Sequence, residues 1–119
     1  MQNIVSNLFR PEEALERLGQ DIDLLKHLIF TFQSDFSRQK DCLLDAIGSK
    51  DLSQLKKELH CLKGSCAAVG AMGISESIRV MEEQLKLGKA GWDDAERLGW
   101  ELLKNLVKVQ DEFKAWLKD

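Results

Sequence analysis

The spacing of apolar residues by threes and fours constrains the fold of this chain more than any other feature. The most regular run, between residues 52 and 69, consists of Leu52, Leu55, Leu59, Leu62, Cys66 and Val69. Because an α-helix turns about 100° per residue, such a run forms one apolar stripe along a single helix face. No window of the sequence alternates apolar and polar residues with the period of a β-strand. The chain is therefore predicted to be all-α.

Five segments with helical spacing follow one another along the sequence. The first is a short helix over residues 11–18, with Pro11 in its first turn and Gly19 at its end. The second begins after Asp21, which can cap it, and ends at Gly48. Its apolar face contains Ile22, Leu25, Ile29, Phe32, Phe36, Leu43 and Ile47.

Three further helices complete the predicted fold. Their boundary residues are Ser49 or Asp51 as the cap of the third, Gly70 and Gly73 around its end, Gly88 at the end of the fourth, and Gly91 before the fifth. Their apolar positions include Ile74, Ile78, Met81 and Leu85 in the fourth and Ala95, Leu98, Leu102, Leu106, Val109, Phe113 and Trp116 in the fifth. Four long helices with short connections must lie antiparallel to bury their stripes together. We therefore predict a single domain over residues 1–119, an antiparallel up-down four-helix bundle with a short extra N-terminal helix across one end.

The composition narrows the class of function. A formal net charge of −3, with Lys and Arg scattered among acids, lacks the basic balance of a nucleic-acid-binding protein. No run approaches 18 apolar residues and no cationic segment precedes a hydrophobic one, so we expect a monomeric cytoplasmic protein that binds no membrane. Three cysteines without CxxC spacing favour reduced thiols and give no zinc-ligand pattern. The Met1 start favours a free-standing protein over a fragment of a hybrid kinase.

His60 lies on the third predicted helix, roughly 130° from the centre of the apolar stripe, and is therefore expected to face solvent. Its neighbours on that face are Lys56, Lys57, Lys63, Gly64 and Ala67. A neutral imidazole is a nucleophile near pH 7, and an adjacent ammonium can offset the charge of a phosphoryl group. The alternative from the residues alone is an inert histidine on a solvated lysine face. His27, the other histidine, is predicted to lie on the surface without such neighbours.

Gly64 is unusual because a glycine in a helix interior costs about 1 kcal/mol relative to alanine. An uncrowded surface beside His60 would let the backbone of another protein approach closely. The alternative is that Gly64 accommodates a neighbouring helix, but its position, roughly 170° from the core stripe, argues against this. We interpret Gly64 and the nearby Ala67 as a low surface for a protein partner.

Residues 60–71 read His-Cys-Leu-Lys-Gly-Ser-Cys-Ala-Ala-Val-Gly-Ala. This segment resembles the signature of histidine-containing phosphotransfer (HPt) domains, His-x-Leu-Lys-Gly-Ser-x-Ala-x-x-Gly-Ala, at every specified position. The segment 14–19, with Asp21, Leu24 and Leu25, is similar to the start of that family, so the likeness covers nearly the whole chain. Leu59 and Cys66 depart from common choices in the family, but both lie on the core stripe and are interpreted as packing residues.

The resemblance implies a role for each residue around the histidine. His60 would be the phospho-acceptor, Lys63 the partner of the phosphoryl group, and Gly64 the gap that admits a receiver domain. A polar residue on the next helix would hydrogen-bond the imidazole nitrogen that is not phosphorylated, and Glu82 matches that position. The alternative for Glu82 is a solvated residue paired with Arg79 or Lys86. Lys56 and Lys57 would attract an acidic partner.

These observations predict a phosphorelay intermediate between the aspartates of response-regulator receiver domains, on separate proteins or on a hybrid sensor kinase. The sequence has no glycine-rich nucleotide loop and is too short for an additional ATP-binding domain, so phosphate is expected to come from a partner. The receiver would supply Mg²⁺, and no cofactor is expected on this chain. The alternative function is a helical adaptor that binds a receiver or kinase without carrying phosphate. A hydrolytic enzyme is disfavoured because no nucleophile, base and acid set is apparent.

Cys61 beside His60 is a candidate for oxidation.

Overall fold

The computed structural model describes residues 8–86 and 91–118. Over these ranges the chain forms five helices and no strand: α1 (Pro11–Arg17), α2 (Ile22–Gly48), α3 (Leu52–Ala68), α4 (Met72–Lys86) and α5 (Trp92–Lys118). The predicted all-α class is confirmed. The expected end of the fourth helix at Gly88 lies outside the described residues. No helix within the described ranges is both long enough and apolar enough to cross a membrane.

Aspartate side chains cap the N-termini of α2 and α3. An oxygen of Asp21 accepts a hydrogen bond from the backbone N–H of Leu24 at 3.0 Å, and Asp51 does the same for Gln54 at 3.0 Å. Each cap satisfies one of the unpaired N–H groups of a first helical turn. Asp51, and not Ser49, is therefore the cap of α3, while the Ser49 hydroxyl bonds back to the carbonyl of Asp45 in α2 at 2.7 Å.

The α3–α4 turn is built on Gly70, whose φ is +83°. The position needs glycine for a second reason as well, because a Cβ there would lie 2.8 Å from the Cβ of Ala14. The next N–H, of Ala71, donates to the carbonyl of Cys66 at 2.8 Å and completes the turn. The prediction that Gly73 also brackets this end is wrong, since one left-handed residue suffices and Gly73 lies in the first turn of α4.

Helices α2 to α5 pack in a ring, each on its two neighbours, and bury one continuous apolar core. The fully buried side chains include Leu25, Ile29, Leu43, Leu55, Leu59, Leu62, Ile74, Ile78, Leu102, Leu106, Val109 and Phe113. Two residues predicted on the core stripes are exposed instead, Ile22 by 49% and Leu52 by 38%. Each is the first residue of its helix, where the stripe extends past the end of the bundle.

The segment before α1 ties the N-terminal helix to the end of the bundle. The N–H of Phe9 donates to Glu112 of α5 at 3.1 Å, and its ring packs edge-on against Phe113 with centroids 4.9 Å apart. The N–H of Arg10 donates to the carbonyl of Gly70 at 2.7 Å. The Arg17 guanidinium of α1 donates to the carbonyl of Ala67 in α3. These bonds hold α1 beside the C-terminal end of α3, about two to three turns from His60.

Candidate functional site

His60 projects from the outer face of α3. Its neighbours along the chain on the core side, Leu59 and Leu62, are buried, whereas 76% of the His60 side chain is exposed. The helix therefore places His60 on its solvent side, as the position of the apolar stripe predicted. His27, on α2, is exposed as predicted.

Glu82 of α4 bridges the two functional candidates of α3. One carboxylate oxygen lies 2.6 Å from the Lys63 ammonium, and the other lies 3.6 Å from Nδ1 of His60. The first contact is a charge-assisted hydrogen bond, and the second is an electrostatic contact longer than a hydrogen bond. Glu82 is only 25% exposed and Lys63 33% exposed, so both lie at the edge of the helix interface. The structure thus brings His60, Lys63 and Glu82 together.

The alternative in which Glu82 pairs with Arg79 or Lys86 does not describe this structure. Arg79 instead lies 3.8 Å from Glu83, one turn along the same helix. Glu82 is directed at α3 because Met81, the residue before it, belongs to the buried stripe of α4. A turn of about 100° from that stripe places Glu82 at the border between core and solvent.

Packing of α3 against α4 fixes the spacing within this site. Ile74 and Ile78 of α4 are fully buried in the apolar core, and α3 and α4 pack directly on each other. Between them and the surface, the hydroxyl of Ser75 donates to the backbone carbonyl of Lys63 at 3.3 Å. This bond ties α4 directly to the residue that carries the ammonium group. The position of Lys63 relative to Glu82 is thus supported by backbone as well as side-chain contacts.

Gly64 opens the surface on the other side of His60. It is exposed, and a Cβ added there would meet no atom within 4 Å. No neighbouring helix therefore approaches Gly64, which removes the packing alternative for this glycine. Ala68 is exposed as well, whereas Ala67 is half-buried and its carbonyl accepts the Arg17 hydrogen bond. The result is a low, uncrowded strip of helix next to the imidazole.

The two remaining lysines proposed from the sequence occupy different places. Lys56 and Lys57 are both exposed on α3. Lys56 lines a groove between α3 and α4, whereas Lys57 is not among the residues that line it. Arg79, Glu83 and Lys86 also line this groove, and the sequence reasoning did not assign them to a site. Arg79, Glu83 and Lys86 recur at intervals of four and three residues along α4. This helical spacing was the sequence signal that could have placed them on one face.

The cysteines differ in environment. Cys61 is exposed beside His60, Cys42 is half-buried and Cys66 is buried. Burial raises the pKa of the Cys66 thiol to about 12, which makes it a neutral core side chain at physiological pH. Over the described residues, no cluster of three or more His, Cys, Asp or Glu side chains could hold a metal ion.

Comparison with protein families assigns the chain over most of its length. The family model described as "Hpt domain" matches residues 12–113, a range that contains His60, Lys63 and Glu82. The chain belongs to the Hpt domain family. Searches of curated proteins and of solved structures gave no match. Hpt domains are helical phosphotransfer modules of two-component phosphorelays, and they interact with response-regulator receivers or with kinases.

Proposed function

We propose that His60 is the phospho-acceptor of this Hpt domain and that it exchanges a phosphoryl group with the aspartate of a response-regulator receiver. The observation that carries the proposal is the position of His60, which is exposed while its Nδ1 faces the carboxylate of Glu82 at 3.6 Å. A proton on Nδ1 is favoured by that carboxylate, and this leaves Nε2 with the free electron pair that a nucleophile needs.

The transfer step follows from this arrangement. Nε2 of His60 attacks the phosphorus of an aspartyl phosphate, the P–N bond forms, and the P–O bond to the aspartate breaks with the carboxylate as leaving group. The ring retains its Nδ1 proton and becomes positively charged, and Glu82 balances that charge. The reverse step returns the phosphoryl group to an aspartate. Mg²⁺ is expected on the receiver, where it offsets the charge of the transferring group.

In this proposal the Lys63 ammonium binds the phosphoryl group. In the unphosphorylated protein its ammonium is held by Glu82 at 2.6 Å. A phosphoryl group on His60 would offer anionic oxygen acceptors one helical turn from Lys63, whose ammonium can exchange Glu82 for them or bond both. Gly64 and Ala67 would admit the receiver backbone, and Lys56 and Lys57 would attract its acidic surface. The module is expected to act as a monomer in the cytoplasm.

The test is a His60→Gln variant. We expect it to take up no acid-labile phosphate from a phosphorylated receiver domain, while His27→Gln, a matched change on the exposed face of α2, takes up phosphate as the wild type does. Phosphate uptake is measured with ³²P-labelled receiver domains from the same genome, separated by gel. Uptake by His60→Gln at the wild-type rate would refute the assignment. Unchanged signalling by that variant with intact receiver binding would instead favour the adaptor function.

A further inference from the structure

The outer side of α5 carries a second stripe of helically spaced residues, separate from the one that faces the core. We call it the α5 stripe, and its members recur at intervals of four, three, four, three and four residues: Glu96, Trp100, Leu103, Val107, Gln110 and Lys114. A helix turns about 100° per residue, so this stripe lies roughly 110° from the direction of the buried residues Leu102, Leu106 and Val109. It is therefore outside the core of its own bundle.

The middle of the α5 stripe is apolar and open to solvent. Trp100 is 47% exposed and Val107 51%, and Leu103 between them is half-buried. Single exposed apolar residues are common on protein surfaces, whereas a row of them along one helix indicates contact with another surface. The row extends towards α2, because Val107 and Gln110 line an open groove of about 470 Å³ together with the half-buried Phe36.

Opposite charges close the two ends of the α5 stripe. Glu96 is at the N-terminal end and Lys114 at the C-terminal end, and the four residues between them carry no charge. The helix dipole favours this polarity only within the first and last turns, but each of the two lies four positions in from its end of α5. Between the terminal turns the other exposed charges do not follow this polarity, since Arg97 precedes Asp111. The dipole therefore does not account for the charges of the α5 stripe.

The charge order of the α5 stripe is complementary to itself when a second copy of α5 runs in the opposite direction. With a two-fold axis level with residue 105, Leu103 of each copy faces Val107 of the other and Trp100 faces Gln110. At both ends Glu96 then faces Lys114 of the second copy. Parallel pairing would instead place like charges opposite each other at each end, which is repulsive. One surface thus serves both copies, as in a two-fold symmetric dimer.

We propose that the α5 stripe is the interface through which two copies of this chain pair, with their α5 helices antiparallel. The apolar centre supplies the attraction, and the two Glu96–Lys114 pairs set the orientation. The stripe lies on the α2–α5 side of the ring of helices, whereas Glu82 contacts His60 on the opposite α3–α4 side. Both His60 sites stay open in the pair. The monomer expected for phosphate transfer therefore remains competent, and pairing depends on protein concentration.

The first test measures association of the full chain by sedimentation equilibrium over about 0.01 to 1 mM protein, where we expect a monomer–dimer equilibrium. Val107→Asp places a carboxylate opposite each Leu103, so we expect it to raise the dimer Kd by roughly hundredfold or more. Val80→Asp, the matched change at a 46% exposed valine of α4, should leave Kd within about twofold of the wild-type value. Urea denaturation of both variants checks that each remains folded.

The second test exchanges charges without altering the apolar centre. Glu96→Lys alone and Lys114→Glu alone each oppose like charges at both ends, so each should raise Kd by roughly tenfold or more at about 0.02 M NaCl. Because these variants change the net charge in opposite directions, a general charge effect would not weaken both. The double variant Glu96→Lys with Lys114→Glu should recover the wild-type Kd. An equimolar mixture of the two single variants should form mixed dimers.

Four results would overturn the interface. They are a wild type that stays monomeric up to about 1 mM, a Kd unchanged by Val107→Asp, single charge variants that pair like the wild type, and a double variant that pairs as weakly as the single ones. None of these measurements involves phosphate or a receiver domain. The interface and the proposed function of His60 therefore stand or fall separately.

Discussion

Gly64 is a residue at which helix stability and the proposed approach of a receiver make opposite demands. It lies in the interior of α3, where glycine is unfavourable, and nothing packs on it. Its presence is explained if the free space is used by a partner. On this explanation Gly64 lowers the helix stability of the free protein, and contacts with a bound receiver compensate for that loss.

This explanation predicts that Gly64→Ala raises the free energy of unfolding by about 0.5 to 1 kcal/mol and slows phosphate transfer. Gly64→Leu adds bulk without a clash inside the protein, so we expect a larger loss of transfer with no loss of stability. Urea denaturation and transfer kinetics on the same preparations provide both measurements. Wild-type transfer by Gly64→Leu would show that no partner approaches this position.

Pairing of α3 with α4 gives the site properties that neither helix has alone. Lys63 and His60 come from α3, whereas the carboxylate that contacts both comes from α4. In the proposed transfer step, Glu82 acts through the imidazole, as a positioning residue. Its contribution therefore depends on the packing that holds the two helices together.

We predict that Glu82→Ala takes up phosphate from a receiver roughly tenfold or more slowly, because the imidazole loses the group that favours a proton on Nδ1. Glu82→Gln should recover part of the rate, since an amide oxygen can accept the same proton. Receiver binding and the free energy of unfolding are measured alongside. Gln84→Ala, an exposed change on the same helix, is the control. A wild-type rate in Glu82→Ala would mean that the contact has no role in transfer.

At the scale of the whole molecule, contacts between residues far apart in sequence join the segment before α1 to α5. Phe9 bonds to Glu112, and desolvation raises the pKa of the Glu112 carboxyl group, an effect that the Phe9 N–H and Lys108 partly oppose. A raised pKa means that the folded state binds the proton more tightly than the unfolded state. This contribution to stability is therefore fully present below the unfolded pKa and is lost as pH rises through the folded pKa.

We accordingly predict that the free energy of unfolding of Glu112→Gln, relative to the wild type, increases with pH from about 4 towards neutrality. The glutamine keeps an oxygen acceptor for the Phe9 N–H but cannot ionise. Urea denaturation followed by tryptophan fluorescence at several pH values provides the measurement. A difference between the two proteins that does not change with pH would contradict the raised pKa.

Much of this architecture could be predicted from local sequence. The stripe from Leu55 to Cys66 became core, and the outward rotation of His60 followed from it. Ile22 and Leu52 were misplaced because periodicity does not show where a bundle ends. The Lys63–Glu82 pair depends on the rotation and axial offset of two helices, and the Phe9–Glu112 bond on a contact between distant segments. Local spacing carries no information about either.

The exposure of His60 on the outer face of α3 also affects how a signal can divide in the proposed phosphorelay. An exposed imidazole is open to more than one partner, so in this proposal any receiver with a suitable face could reach the same group. One imidazole can serve only one receiver at a time. Several response regulators sharing this module would therefore compete, and the flow of phosphate among them would be set by their relative abundance and association rates.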